Sequence, residues 1–260
     1  MPHTDRRVTW RLGASAAILV LFSLLWILVR AAFPAPVALP TECTEPVFLA
    51  HYSNDIEAVS LALRRGFCGV EVDVHWRDSV GLVVAHDALP ETWTAATSLT
   101  LKGLLDSVPR LPRLIWLDFK NLSRGNAASS AAYVNKLIDQ YNLRGRIIVE
   151  ARRPVALWRF RFSAKTVIPA YWIPYRRSGI VYDAKLTVIL GILGLPALSV
   201  PKKLLTPQFV RRFRRFDLFT WTCNTPDEIR TAILLGARVI LTDRHAPPSV
   251  PEVSPGLREP

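Results

Sequence analysis

Between residues 47 and 243, short runs rich in β-branched residues alternate with stretches whose apolar residues recur at helical spacing. Residues 47–51, 69–74, 81–86, 114–120, 147–151, 166–172, 218–224 and 238–243 read as strands or extended runs. Residues 54–65, 127–141, 207–216 and 226–237 read as helices; the first sets Ile56, Val59, Ala62 and Leu63 on one face and stops at Gly66. The apolar segment 186–200 is only 15 residues long and is interrupted by Pro196, so it reads as a buried helix and strand rather than a membrane span. Repeated strand–helix units imply a parallel sheet covered by helices. About eight of them in some 200 residues predict a compact α/β TIM (β/α)8 barrel. A doubly wound open sheet is the alternative, but no glycine-rich dinucleotide-binding turn follows the first strand.

The barrel is preceded by a different kind of segment. Residues 12–29 carry no charged side chain over 18 positions, a helical length of about 27 Å that suffices to cross a hydrocarbon core. Arg6, Arg7 and Arg11 precede the run and only Arg30 follows before Glu42. The positive-inside rule then places residues 1–11 in the cytoplasm, a single-pass anchor at 12–30, and the rest across the membrane. A cleaved signal peptide has the same charge order but a shorter apolar region; on either reading the barrel is exported. Residues 31–45 read as a proline-rich spacer, 46–245 as the barrel and 246–260 as a proline-rich tail.

In such a barrel ligands gather at the C-terminal ends of the strands, and polar residues stand there in order. The first strand ends at His51, with Asn54 three positions on. The second carries Glu71 and Asp73, whose i, i+2 spacing aims both carboxylates to one side. His86 and Asp87 close the next run, and Asp118 and Lys120 repeat the i, i+2 pattern. Trp221, Asn224 and Asp243 follow near the end, and Glu150 ends its strand as a further polar residue or a partner of Arg152 or Arg153. Glu71, Asp73 and Asp118 in one mouth would repel one another without a cation between them, and an oxygen-only donor set suits Mg2+ or Ca2+. His51 and His86 can exchange protons near neutral pH, and Lys120 is a point charge for a phosphate oxygen. His75 and Trp76 read as a loop beside this mouth.

The order His51, Glu71-Val72-Asp73, Val83-Val84-Ala85-His86-Asp87 and Leu117-Asp118-Phe119-Lys120 resembles the glycerophosphodiester phosphodiesterase superfamily, as do Thr220-Trp221-Thr222-Cys223-Asn224 and the 239–244 run ending in Asp243-Arg244. The resemblance covers residues 47–244. It implies a TIM barrel, a divalent metal on Glu71, Asp73 and Asp118, acid/base work by His51 and His86, and phosphate or head-group contacts from Lys120, Trp221 and Asn54. Tyr52-Ser53 stand where glycerophosphodiesterases have Arg-Gly after the first histidine. The His-x-x-Asn and Asp-x-Lys spacings are nearer the sphingomyelinase D-like and menorin-type branches. The implied activity is cleavage of a glycerophosphodiester or phospholipid; a catalytically silent barrel that binds head groups or a partner protein is the alternative.

The formal charge is +12, which favours an anionic partner. The run Arg211-Arg212-Phe213-Arg214-Arg215 reads as a solvated helix face rather than a nucleic-acid surface. Cys43 and Cys68 lie just before the first and second strands, so in an oxidising compartment they are expected to pair, leaving Cys223 free.

Overall fold

The structure is a computed structural model and describes residues 19–26, 35–88, 98–164, 166–174 and 179–248. In chain order its elements are β1 (Val47–Ala50), α1 (Ile56–Arg64), β2 (Gly69–Arg77), β3 (Gly81–Val84), α2 (Leu101–Ser107), β4 (Leu114–Phe119), α3 (Ala127–Tyr141), β5 (Ile147–Ala151), α4 (Pro154–Ser163), β6 (Ile168–Trp172), α5 (Ile180–Ile192), β7 (Ala197–Pro201), α6 (Pro207–Arg212), β8 (Asp217–Trp221), α7 (Pro226–Leu234) and β9 (Ala237–Thr242). Strands β1, β2, β4, β5, β6, β7, β8 and β9 pair in parallel in that order, and β1 returns to β2 to close the ring. This is the eight-stranded TIM barrel that the strand–helix alternation predicts.

Some elements differ from the sequence reading, among them helices α2 and α4, which it did not give. The 81–86 run contributes β3, which is not a barrel stave: it folds back antiparallel on the second half of β2, with His75 opposite Val83 and Trp76 opposite Leu82. That hairpin extends β2 to Arg77, so His75 and Trp76 are buried strand residues and not a loop. Helix α4 gave no periodic signal because its large residues face both ways: Phe160 is fully buried while Trp158 and Phe162 are exposed. The apolar 186–200 segment, as its length and Pro196 led one to expect, divides into the end of α5 and strand β7.

Two apolar layers hold the barrel. Outward side chains of the strands pack under the helices, as Phe119 does against Phe160 with ring centroids 5.9 Å apart. Inward side chains fill the lower interior, where Leu49, Leu114, Trp116, Ile148, Phe219 and Leu241 form one dry cluster. A Cβ at Gly69 would lie 1.8 Å from the Leu114 carbonyl oxygen, so only glycine lets β2 approach β4 there. Helix α7 starts at a complete capping box between Thr225 and Glu228, with Pro226 in the first turn.

Residues 35–46, most of which read as a spacer, close the N-terminal floor of the barrel. Val37 is buried, its N–H donates to Asp217 Oδ2 at 2.5 Å and its carbonyl accepts from Arg238. Arg238 also pairs with Glu45 and Asp217. Cys43 and Cys68 are joined, their Cα atoms 5.7 Å apart, and Cys223 is free and buried. Of the apolar N-terminal segment, residues 19–26 are helical and exposed. The remainder of the 12–30 anchor, residues 1–11 and residues 249–260 lie outside the described residues, among which no helix is long and apolar enough to cross a membrane.

The bridge closes a loop of 25 residues, and reducing it is expected to lower stability by about 3–4 kcal/mol, as chain entropy gives for loops of this order. Intact mass after alkylation in denaturant without reductant checks the pairing. One modified cysteine is expected, and three would contradict it.

Candidate active site

Along the barrel wall the inward side chains change from apolar to charged as each strand reaches its C-terminal end. On β4 the inward series is Leu114, Trp116, Asp118 and then Lys120; on β5 it is Ile148, Glu150 and then Arg152. Period-2 alternation puts these on one side, and the packed Trp116 layer holds the charges above it. Parallel register sets Asp73 beside Asp118 and Asp118 beside Glu150. Ligand atoms of Glu71, Asp73 and Asp118 all lie within 4.8 Å of one another.

Like charges at register partners repel, and the site compensates in three ways. Lys120 Nζ lies 2.5 Å from both Asp73 Oδ1 and Asp118 Oδ2. Burial disfavours the Lys120 charge, yet Asp118 and Asp73 outweigh it and hold the ammonium firmly protonated. Tyr52, in the left-handed region at φ 59°, donates its N–H to Glu71 Oε2 at 2.8 Å. That conformation is unfavourable for a bulky residue, and it aims a backbone donor at a buried carboxylate. Even so, burial and then the Asp73 charge push the Glu71 carboxyl well above the ordinary carboxylate range. Burial and Asp118 do the same to Glu150, which accepts from Trp116 Nε1 at 2.6 Å and from Ser199.

The remaining expected residues divide into those that line the cavity and those that brace it. His51, Glu71, Asp73, His86, Asp118, Lys120 and Trp221 converge on one cavity of about 320 Å³. Asn54 does not line it: its amide donates to Asp73 Oδ2 at 2.6 Å and accepts the Asp73 N–H at 2.8 Å, clamping that carboxylate. His51 Nδ1 is 2.7 Å from Asp243 Oδ1. Asn224 donates to the other Asp243 oxygen, also at 2.7 Å, and accepts the Asp243 N–H. Burial raises the Asp243 carboxyl, but Asn224 and His51 outweigh it and hold it below its ordinary value. His86 faces Asp87 at 3.0 Å, and the Tyr52 ring lies 5.1 Å from that imidazole.

Arg152, named from the sequence only as a possible partner of Glu150, belongs to the mouth, as do Trp172 and Ser199, which were not singled out. Arg152 and Trp172 line the cavity, and Ser199 Oγ accepts from Trp221 Nε1 at 2.7 Å. The signal for Arg152 was present: Glu150 and Arg152 repeat the i, i+2 spacing of Glu71/Asp73 and Asp118/Lys120. The basic run at 211–215 is elsewhere; Phe213 is buried and Arg212 pairs with Asp183 at 2.5 Å.

Several solved structures are similar to this barrel. A glycerophosphodiester phosphodiesterase from Parabacteroides distasonis matches with TM-score 0.60 and 18% identity, over 76% of this chain and 92% of that one. One from Thermotoga maritima matches with TM-score 0.58 and 20% identity, over 76% and 95%. An Oleispira antarctica phosphodiesterase, solved with its product sn-glycerol-3-phosphate, matches with TM-score 0.61 and 15% identity, over 76% and 93%. The chain therefore has the fold of the glycerophosphodiester phosphodiesterases. No protein-family model and no curated protein matches the sequence.

Glu71→Gln removes a costly buried charge while keeping an acceptor for the Tyr52 N–H. Urea unfolding without metal is therefore expected to show unchanged or higher stability. With Mg2+ or Ca2+ at 100 times its dissociation constant, the wild type should gain about 2.7 kcal/mol and the variant nothing. An equal gain in both would remove Glu71 from the cation site.

Proposed function

We propose that the chain is a metal-dependent phosphoric diester hydrolase acting on glycerophosphodiester-type substrates. The observation that carries this reading is the convergence of the Glu71, Asp73 and Asp118 cluster and of two histidines on one cavity at the C-terminal ends of the barrel strands. The residues fit a hard divalent cation: all donors are oxygens, and Lys120 already places a positive charge between Asp73 and Asp118. Mg2+ or Ca2+ held by Glu71, Asp73 and Asp118 would supply Lewis-acid stabilisation of charge on the phosphoryl oxygen.

The protein's own groups carry the proton transfers. Asp243 holds His51 Nδ1, which leaves Nε2 for the cavity and suits His51 to accept the proton of the attacking hydroxyl. As the new P–O bond forms, the bond to the leaving alcohol breaks, and His86 gives that alkoxide a proton. With water as nucleophile the product is a phosphomonoester; with a neighbouring hydroxyl of the substrate it is a cyclic phosphate. Asn54 and the Tyr52 N–H fix Asp73 and Glu71 in place for this chemistry.

The 18-residue uncharged run at 12–29 supports a single-pass anchor with residues 1–11 cytoplasmic and the barrel outside. Residues 35–46 enter at the floor, the end opposite the carboxylates. A bilayer tether on that side holds the mouth away from the anchoring leaflet, which favours water-soluble, deacylated diesters over intact bilayer phospholipid.

A panel of phosphodiesters assayed with and without Mg2+ tests the reading. Metal-dependent release of monoester or cyclic phosphate is expected, with His51→Ala and His86→Ala each lowering turnover by about 10²–10⁴. A silent barrel would bind without turnover, and near-normal rates in either variant would remove that histidine from the chemistry.

A further inference from the structure

The mouth holds a second cation that its carboxylates do not engage. Lys120 is occupied by Asp73 and Asp118, whereas among the described residues Arg152 pairs with no carboxylate. Its guanidinium instead lies over the Trp172 ring, 4.4 Å from the centroid. Trp172 is stacked on Trp221 with centroids 6.0 Å apart and planes 20° from parallel. Trp221 is pinned to Ser199, and Ser199 is tied to the buried Glu150. Ser199, Trp221, Trp172 and Arg152 therefore form one braced wall running from the carboxylate cluster to the rim.

We propose that Arg152, laid on this wall, selects the substrate: it binds an anionic oxygen of the diester and excludes alcohols that carry a quaternary ammonium. The inference rests on the phosphodiesterase reading and deepens it. An aromatic face beside a phosphate site is where a quaternary ammonium would be held by cation–π attraction. Here that face of Trp172 already carries a guanidinium, and a second cation would meet like charge at close range. A guanidinium held over a ring still has N–H donors to offer oxygen in a planar fork, which lysine cannot reproduce. The substrate class that fits is a phosphodiester of an uncharged or anionic alcohol, such as a glycerol or polyol ester, in preference to a choline ester.

The test compares kcat/KM for glycerophosphoglycerol and glycerophosphocholine in the full-length protein with Mg2+. Wild type is expected to prefer the glycerol ester by tenfold or more. Arg152→Gln should lose at least tenfold on that ester, mainly through KM, and bring the ratio near one; Arg152→Lys should not restore it. A choline ester cleaved equally well, or a ratio unchanged in Arg152→Gln, would overturn the inference. Calorimetric titration with sn-glycerol 3-phosphate and with phosphocholine separates this from the parent reading. If no diester is cleaved, the phosphodiesterase reading fails. Tighter binding of the glycerol phosphate that is lost in Arg152→Gln would still uphold Arg152. Equal binding of the two probes, or binding of neither, would overturn its role.

Discussion

Four carboxyl groups share the closed mouth of this barrel, and one ammonium stands between two of them. Glu71, Asp73 and Glu150 are almost wholly buried, so water cannot screen them from one another or from Asp118. The arrangement persists because each acid has at least one partner: Tyr52 N–H for Glu71, Asn54 and the shared Lys120 for Asp73, Lys120 for Asp118, Trp116 and Ser199 for Glu150. Burying charge is unfavourable unless it is paired and hydrogen-bonded, and much of the upper barrel exists to supply those partners. The residual repulsion is the property that suits the cluster to a divalent cation.

The lower barrel makes the upper one possible. Trp116 is fully buried, packs against Phe219 with centroids 5.7 Å apart, and spends its indole N–H on Glu150. It is both the top of the dry core and the base of the charged layer. Below it, the floor is closed by residues 35–46, locked to the strand starts by Arg238 and by the Cys43–Cys68 bridge. Packing is thus concentrated at one end and the charged groups at the other, the division that (β/α)8 barrels show generally.

Most of the barrel was legible because its strands are short, β-branched and separated by helices with a clear apolar face. Glu71 and Asp73, and Asp118 and Lys120, were legible because a spacing of two at a strand end has only one geometric meaning. What escaped did so for physical reasons. Helix α4 exposes Trp158 and Phe162 and so hides its period. Strand β3 has strand chemistry but pairs backwards, which local sequence does not encode. Asn54 reads as a mouth residue, yet a three-residue offset from His51 carries its amide behind Asp73. Arg152 and Trp172 become a pair only when β5 and β6 lie side by side.

The central claim is that Glu71, Asp73 and Asp118 form a cation site at the heart of the mouth. A crystal of the protein grown with Mn2+ and measured for anomalous scattering tests it most directly. The expected result is one peak among the three carboxylates, with Lys120 shifted from between Asp73 and Asp118. Ordered carboxylates with no peak there at millimolar Mn2+, or a peak elsewhere only, would contradict it.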